Sequence, residues 1–430
     1  MSDERLRREQ GQGPLSSEAR YPAGGERGVR ASGLRKRSVR DAAASGKRVL
    51  VRVDFNVPLR GGTVADDTRI RASLPTINLL REQGAMVVLC SHLGRPKGAD
   101  MALSLGPVAR RLGELLGCPV GLAPSAIGPE VAAQVGALRG GGVLFLENVR
   151  FHPEEERNDP AFAAALAKPF AQYVNDAFGT AHRAHASTEG VARLLPAFAG
   201  LLLEKELLAL GGILEAPRRP FLAIIGGAKV SSKIDVLRAL VGRVDSLAIG
   251  GGMANTFLAA TGHPIGKSLA ERDRFDEAER ILDAAAKAGA TVLLPTDVLV
   301  TSSVDQAGAA TAKVTAAGGV PADVAIVDIG PRTLEAYATA IASAQTIFWN
   351  GPVGVFEVPR FATGTRRIAE LLAEASARGA TTVVGGGESV QAVEEAGLAG
   401  RMTHVSTGGG ASLELIEGKV LPGVAAIPDA

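Results

Sequence analysis

Two lysines four residues apart, Lys229 and Lys233, follow a glycine pair, Gly226-Gly227, at the end of an Ile-rich apolar run that begins at Phe221. The run reads as a buried strand, and Ser231 to Leu237 carries helical spacing. A strand, a bare bend and a helix start expose backbone N–H groups at the positive end of a helix dipole, which suits an anion. If the helix begins near Lys229, both ammonium groups share one face and reach one polyphosphate. The pattern G-x-x-x-x-G-K-[ST] is absent, and a solvated lysine face beside an ordinary turn is the commoner explanation of the stretch by itself.

The ends of the other apolar runs widen the choice of chemistry. In the first half they lead to Asp54 and Asn56, to Ser91-His92-Leu93-Gly94-Arg95, to Glu147-Asn148 with Arg150, and to Asp176 with Arg183. In the second half they lead to Gly226-Gly227, to Gly250-Gly251-Gly252, to Asn350-Gly351-Pro352, to Gly385-Gly386-Gly387-Glu388-Ser389 and to Thr407-Gly408-Gly409-Gly410. Open parallel sheets bind ligands beyond the carboxyl ends of their strands. Arginine forks there would grip a small acid with two anionic ends, and bare backbone would let a nucleotide lay its phosphates on N–H groups. Each residue alone has a mundane explanation; the recurrence at successive strand ends favours the functional one.

Glu388 is the candidate magnesium ligand, because a nucleotide-bound Mg2+ takes oxygen ligands, although an acid at a helix start also stabilises the helix. Glu357 would accept hydrogen bonds from a ribose, or is a solvated loop residue. No HRD or DFG element and no G-x-S-x-G elbow appears. Phosphoryl transfer here would therefore rest on positioning and charge neutralisation, and an acceptor that is already an anion, such as a carboxylate, needs no general base.

The elements that must position these residues follow from the alternation. A chain of 430 residues, 46% apolar, exceeds one core and suits two domains of roughly 200 residues each. Strands are expected at Val49–Asn56, Met86–Cys90, Val143–Leu146, Tyr173–Asn175, Phe221–Ile225, Ser246–Ile249, Thr291–Leu294, Ile347–Trp349, Thr381–Val384 and His404–Ser406. Helices are expected at Ser73–Gln83, Pro107–Leu116, Ala161–Lys168, Phe275–Ala288 and Arg366–Ala377, with the leucine-rich Leu201–Leu214 as a connection. This pattern predicts an α/β protein of two doubly wound parallel-sheet, Rossmann-like domains joined by that helix and a hinge.

Net charge is +2, but residues 1–40 hold ten basic and five acidic residues, leaving the remainder at −3. The body is thus no general nucleic-acid binder. Two cysteines, Cys90 and Cys118, beside apolar runs read as free buried thiols of a reducing compartment. No stretch is long and apolar enough to span a membrane, and no cleavable leader is visible, so a cytoplasmic protein is expected. Residues 1–40 read as a mobile basic tail, with a transit peptide or RNA contact as sharper alternatives.

Seven segments are specific enough to carry a resemblance. RVDFNVP from Arg52, SHLGRP from Ser91, LENVRF from Leu146, DAFGTAHRAHAS from Asp176, GGAKVSSKI from Gly226, WNGPVGVFE from Trp349 and STGGGASLELIEGKVLPGV from Ser406 together resemble phosphoglycerate kinase. The resemblance spans about residues 41–425. It implies reversible transfer between 1,3-bisphosphoglycerate with ADP and 3-phosphoglycerate with ATP, using Mg2+, by a monomer. By motif match, Asp54, Asn56, Arg69, His92, Leu93, Gly94, Arg95, Arg150 and Arg183 would bind the phosphoglycerate. Lys229, Lys233, Gly251, Asn350, Glu357, Gly386, Gly387, Glu388 and Ser389 would serve the nucleotide and Glu388 the metal. Arg69, Lys229, Lys233, Gly409 and Gly410 would act in the transfer.

The implied organisation is a disordered extension 1–40, a phosphoglycerate-binding domain 41–200, an interdomain helix 201–216, a nucleotide-binding domain 217–405, and a hinge and C-terminal segment 406–430. The chain departs from the family's Gly-Gly-Gly-Asp-Thr at Glu388-Ser389, which keeps carboxylate and hydroxyl but lengthens the acid by one methylene. A relative that binds without turnover, its magnesium displaced by Glu388, is the rival reading.

Overall fold

In the computed structural model, residues 34–305 and 310–430 are described. The sequence expectations about the basic tail therefore fall, up to residue 33, outside the described residues. Two six-stranded parallel sheets organise the chain. The first runs in the order Gly121–Leu122, Val143–Phe145, Met86–Cys90, Arg48–Arg52, Gln172–Asn175, Ala197–Ala199. The second runs Thr291–Leu293, Ser246–Ile249, Phe221–Ile225, Thr346–Asn350, Thr381–Gly385, His404–Val405. Near-continuous apolar strands such as FLAII are what a sheet covered on both faces requires, and every residue of Phe221–Ile225 is buried.

The strand order places the sites. In the second sheet, the first strand of the lobe, Phe221–Ile225, lies between the second and the fourth, so the chain leaves it in opposite directions and opens a crevice at its carboxyl end. The loops bordering that crevice begin at Gly226 and Gly351. In the first sheet, the strand Arg48–Arg52 lies between Met86–Cys90 and Gln172–Asn175, so Val53–Asn56, Ser91–Arg95 and Asp176–Arg183 leave from neighbouring strand ends.

Several boundaries differ from the sequence expectation. The first strand stops at Arg52, and Asp54 and Asn56 stand in the loop beyond it. The helix expected at Ser73–Gln83 begins at Thr68, despite Pro75, which puts Arg69 on its first turn. The helix expected to start near Lys229 begins at Ile234. A three-stranded antiparallel sheet of Lys313–Ala316, Asp297–Thr301 and Ala325–Ile329 and the hairpin Leu59–Arg60/Thr63–Val64 were not anticipated. Residues 34–40 are built into the fold: Val39 is fully buried, Ser38 bridges Ala199, and Arg37 donates its backbone N–H to Pro428. Both cysteines are free, but only Cys90 is buried, and Cys118 is half-buried.

The connecting helix Leu201–Glu215 starts where the first sheet ends. Asp176, at the end of a neighbouring strand, accepts N–H bonds from Leu202 and Leu203 and so satisfies two of the helix's orphan donors. Its burial pushes the carboxyl up to about 7. The C-terminal segment returns to the first lobe, where Gly423 donates to Ala181 and accepts from the Asn175 amide.

Candidate active site

Beyond the first sheet, cationic side chains converge on one another. Arg69 Nη1 donates to Asp54 Oδ2 at 3.0 Å, so the first helical turn and the first loop hold each other. Asn56 Oδ1 accepts the Gly94 N–H at 2.9 Å. Arg150 is buried; it donates to the Gly94 carbonyl at 2.8 Å and pairs with Glu156 at 3.1 Å. Arg183 Nε donates to His182 Nε2 at 3.2 Å, and Arg95 is exposed. Burial, with Arg183 and Arg52 nearby, lowers the Arg150 pKa, and burial with Arg52, Arg150, Arg183 and Arg69 around it drives that of His92 well below the ordinary imidazole value. Such a field is costly without an anion and favourable with one.

The loop Ser91–Arg95 owes its shape to Asn148, a strand-end residue to which the sequence assigned no role of its own. Asn148 donates to the carbonyls of Leu93 and Leu103 and accepts from the Arg150 N–H. Arg52 was likewise assigned no role. It is 1% exposed, and its place at the inner end of the apolar strand RVLVR, whose other arginine, Arg48, is exposed, was the available signal, since a buried charge requires partners.

Beyond the second sheet the material is backbone. The N–H groups of Gly226 and Gly227 donate to the carbonyls of Asn350 and Pro352, and that of Gly251 donates to Val353. A Cβ at Gly226 would collide with the carbonyl oxygens of Gly351 and Pro352. The glycines therefore let three loops pair with one another, and the first two amides are not free for an anion as the sequence suggested. The first-turn N–H groups of the helix Gly387–Glu395 have no intrahelical acceptor. Gly387 and Glu388 there are exposed, whereas Ser389 is buried and its hydroxyl links the Gly351 N–H to the Gly385 carbonyl.

The lysines part company as well. Lys229 is exposed in the turn before the helix. Lys233, the residue before Ile234, donates its ammonium to the carbonyls of Gly226 at 2.6 Å and Asn350 at 3.1 Å, in the crevice between the two central strands. Burial lowers its pKa to about 8, against the field of Glu388. Asn350 is buried and its side-chain nitrogen has no hydrogen-bond partner among the described residues. Glu357 is exposed. Trp349 is fully buried, with Nε1 donating to Gly351 at 2.8 Å. Glu271, a residue the sequence reading passed over, accepts from the N–H and hydroxyl of Ser231 and so fixes the Lys229 turn from the side.

Between the two clusters lies the carboxylate of Glu206, fully buried on the connecting helix. It accepts from His404 Nε2, Ser406 Oγ and both the N–H and hydroxyl of Thr407, at 2.6–2.8 Å. The spacing of Leu203, Glu206, Leu207 and Leu210 puts this acid on the buried stripe, which was the sequence signal for it. Thr407 is followed by Gly408, then by Gly409 and Gly410 at the start of Gly410–Ile416; among the described residues no atom beyond its chain neighbours lies within 4 Å of a Cβ added at Gly409.

Comparison with known proteins agrees with this architecture. The sequence model of the family described as phosphoglycerate kinase matches residues 39–419. A phosphoglycerate kinase of Chloroflexus aurantiacus is 56% identical over 401 residues, covering 92% of this chain and all of that protein. One of Moorella thermoacetica is 55% identical over 397 residues, with 92% and 100% covered. The solved phosphoglycerate kinase of Coxiella burnetii superposes with a TM-score of 0.83 at 41% identity, covering 91% of this chain and 98% of that one. That of Pyrococcus horikoshii OT3 gives 0.79 at 34% identity with the same coverage. With two Rossmann-like sheets, a cationic cluster beyond one and glycine loops beyond the other, the chain belongs to the phosphoglycerate kinase family.

Proposed function

We infer that this chain catalyses reversible phosphoryl transfer between 1,3-bisphosphoglycerate with ADP and 3-phosphoglycerate with ATP, the step of glycolysis and gluconeogenesis performed by its family. In the ATP-consuming direction a carboxylate oxygen of the acid attacks the γ-phosphorus and the bond to the β–γ bridging oxygen breaks, leaving ADP. The acceptor is already anionic, so no proton must be moved. What supports the reading is family membership over nearly the whole chain together with anion-binding material at both topological crevices.

In this reading Asp54, Asn56, His92, Leu93, Gly94, Arg95, Arg150 and Arg183 hold the acid, and Arg69, steadied by Asp54, faces the transferred group. Lys229, Lys233, Gly251, Asn350, Gly386, Gly387 and Ser389 serve the nucleotide, with Glu357 at its ribose. Glu388 fits Mg2+: it is an exposed carboxylate on a helix's first turn, and among the described residues no group of three or more His, Cys, Asp or Glu offers an all-protein site. A hard cation that takes most ligands from phosphate and water needs no more than that. When bound, magnesium supplies charge neutralisation at the phosphates.

Closure about Leu201–Glu215 would bring the two ligands together, with Glu206 holding the segment Ser406–Thr407 at the pivot and the amides of Gly409 and Gly410 added to the transferred group. Such closure excludes water and strengthens every charge interaction inside. We further propose a cytoplasmic monomer; no helix among the described residues is long and apolar enough to cross a membrane. A coupled assay with ATP, magnesium and 3-phosphoglycerate tests the reaction. Turnover is expected. Binding without turnover, restored by Glu388→Asp, would instead make this a ligand-holding relative.

A further inference from the structure

Below the cationic cluster runs a chain of buried polar groups, Glu155, Ser187 and Arg52. Glu155, fully buried, accepts from the N–H and hydroxyl of Ser187 at 2.9 and 2.5 Å. Ser187 Oγ in turn accepts Arg52 Nε at 2.8 Å. Arg52 also donates from Nη1 to its neighbour Val53, and its Nη2 lies 3.2 Å from His92 Nδ1. Three separate acceptors thus fix the plane of this guanidinium, and Glu155 supplies its counter-charge through the serine.

A guanidinium has donors only. The nitrogen of His92 that faces it must therefore be bare. One group pulls the other way: Asp54 Oδ1 lies 4.0 Å from the same Nδ1 and would favour a proton there. Distance decides, because 3.2 Å is a hydrogen bond and 4.0 Å is not. The surrounding arginines, Arg52, Arg150, Arg183 and Arg69, together with burial, oppose a second proton on the ring. His92 Nε2 has no protein partner among the described residues and is not sealed from solvent.

We propose that Arg52 is a positioning residue that locks His92 as the neutral tautomer with its proton on Nε2, so that the imidazole meets the acid substrate as a hydrogen-bond donor and not as a cation. The guanidiniums supply the charge, and His92 supplies direction. A fixed donor discriminates more sharply than a freely rotating one, since a substrate oxygen out of line leaves a buried N–H unpaired. The ligand in this proposal rests on the phosphoglycerate reading above; the tautomer does not.

Proton–nitrogen NMR correlation of the imidazole rings in the isotope-labelled full-length chain near neutral pH, with His92 assigned by loss of its signals in His92→Gln, reads the tautomer without any substrate. The expected spectrum has Nδ1 bare and Nε2 protonated. A protonated Nδ1, as imidazolium or as the other tautomer, overturns the proposal whatever the enzyme's activity. In a folded Arg52→Met chain the two tautomers should mix and KM for 3-phosphoglycerate should rise about tenfold, with KM for ATP nearly unchanged. An unaltered His92 spectrum in that variant would equally overturn it. His92→Gln, which keeps an N–H near the Nε2 position, should bind the acid better than His92→Lys, which restores only charge; the reverse order counts against the donor role. Failure of the assay for turnover, with the expected tautomer present, would sink the functional reading and leave the Arg52 lock standing.

Discussion

The two clusters are built of different material. Beyond the first sheet, guanidinium and imidazole groups on long side chains meet over a floor of buried polar groups, and the loops carrying them are tied by side chains such as Asn148 and Asp54. Beyond the second sheet, glycine loops pair backbone to backbone, and Lys233 is held by two carbonyls. The difference teaches where each site is vulnerable. Side-chain construction fails one charge at a time, whereas backbone construction fails when any added Cβ parts the loops. An acid small enough to be enclosed suits the first, and a flat nucleotide the second.

The sharpest break falls where the clusters are meant to cooperate. Arg69→Ala should lower kcat by about 10²–10³-fold, the usual loss for a group that neutralises developing charge, while thermal denaturation shows little change in stability. A kcat within a few-fold of the parent would remove Arg69 from the transfer. Next comes the backbone site. Gly351 has φ +94°, and a Cβ there would meet the Gly226 carbonyl and the Lys233 ammonium. Gly351→Ala should raise KM for ATP tens of fold and cost about 1–3 kcal/mol in denaturant unfolding, leaving KM for 3-phosphoglycerate within twofold. Arg150→Lys is the mirror test: KM for the acid should rise about tenfold and that for ATP should not.

The smallest effect is a pH limb. Lys233 loses its proton near pH 8 in the free enzyme, so kcat/KM for ATP should fall as pH rises through that value, and Lys233→Arg should move the limb upward at some cost in rate. The sign for folding is opposite. Because the unfolded chain keeps that proton up to the ordinary lysine value, it binds more protons between the two values, and this group makes stability rise with pH across the window. An alkaline limb unchanged in Lys233→Arg would assign it to another residue.

Much of the fold was legible in the sequence because apolar β-branched runs and glycines mark parallel strands wherever both faces are buried. The helix Phe275–Ala288 coincides with its expected bounds, set by an apolar stripe and a terminal Gly289 in the left-handed region. The helix at Lys229 did not, since the turn 229–233 is held by Glu271, forty residues on, and nothing local records that. The antiparallel sheet around Asp297–Thr301 was missed for another reason: its edge strand Lys313–Ala316 is largely exposed and carries no apolar run. In the candidate site, the cationic loop ends could be read from motifs. The buried Glu155 could not, because a motif shows which residue types recur and not which of them face inward; the signals for Arg52 and Glu206 lay instead in strand and helix spacing. Glycine spacing likewise could not distinguish an amide offered to phosphate from one spent on a neighbouring loop.

A crystal structure of the full chain with 3-phosphoglycerate and a magnesium-bound ATP analogue tests the division between the two clusters most directly. The expected density puts the acid among Asp54, His92, Arg150 and Arg183 and the nucleotide against Lys229, Lys233 and the Gly386–Ser389 helix start, with the connecting helix between them. Both ligands beside one sheet, or either lodged away from these loops, would contradict it.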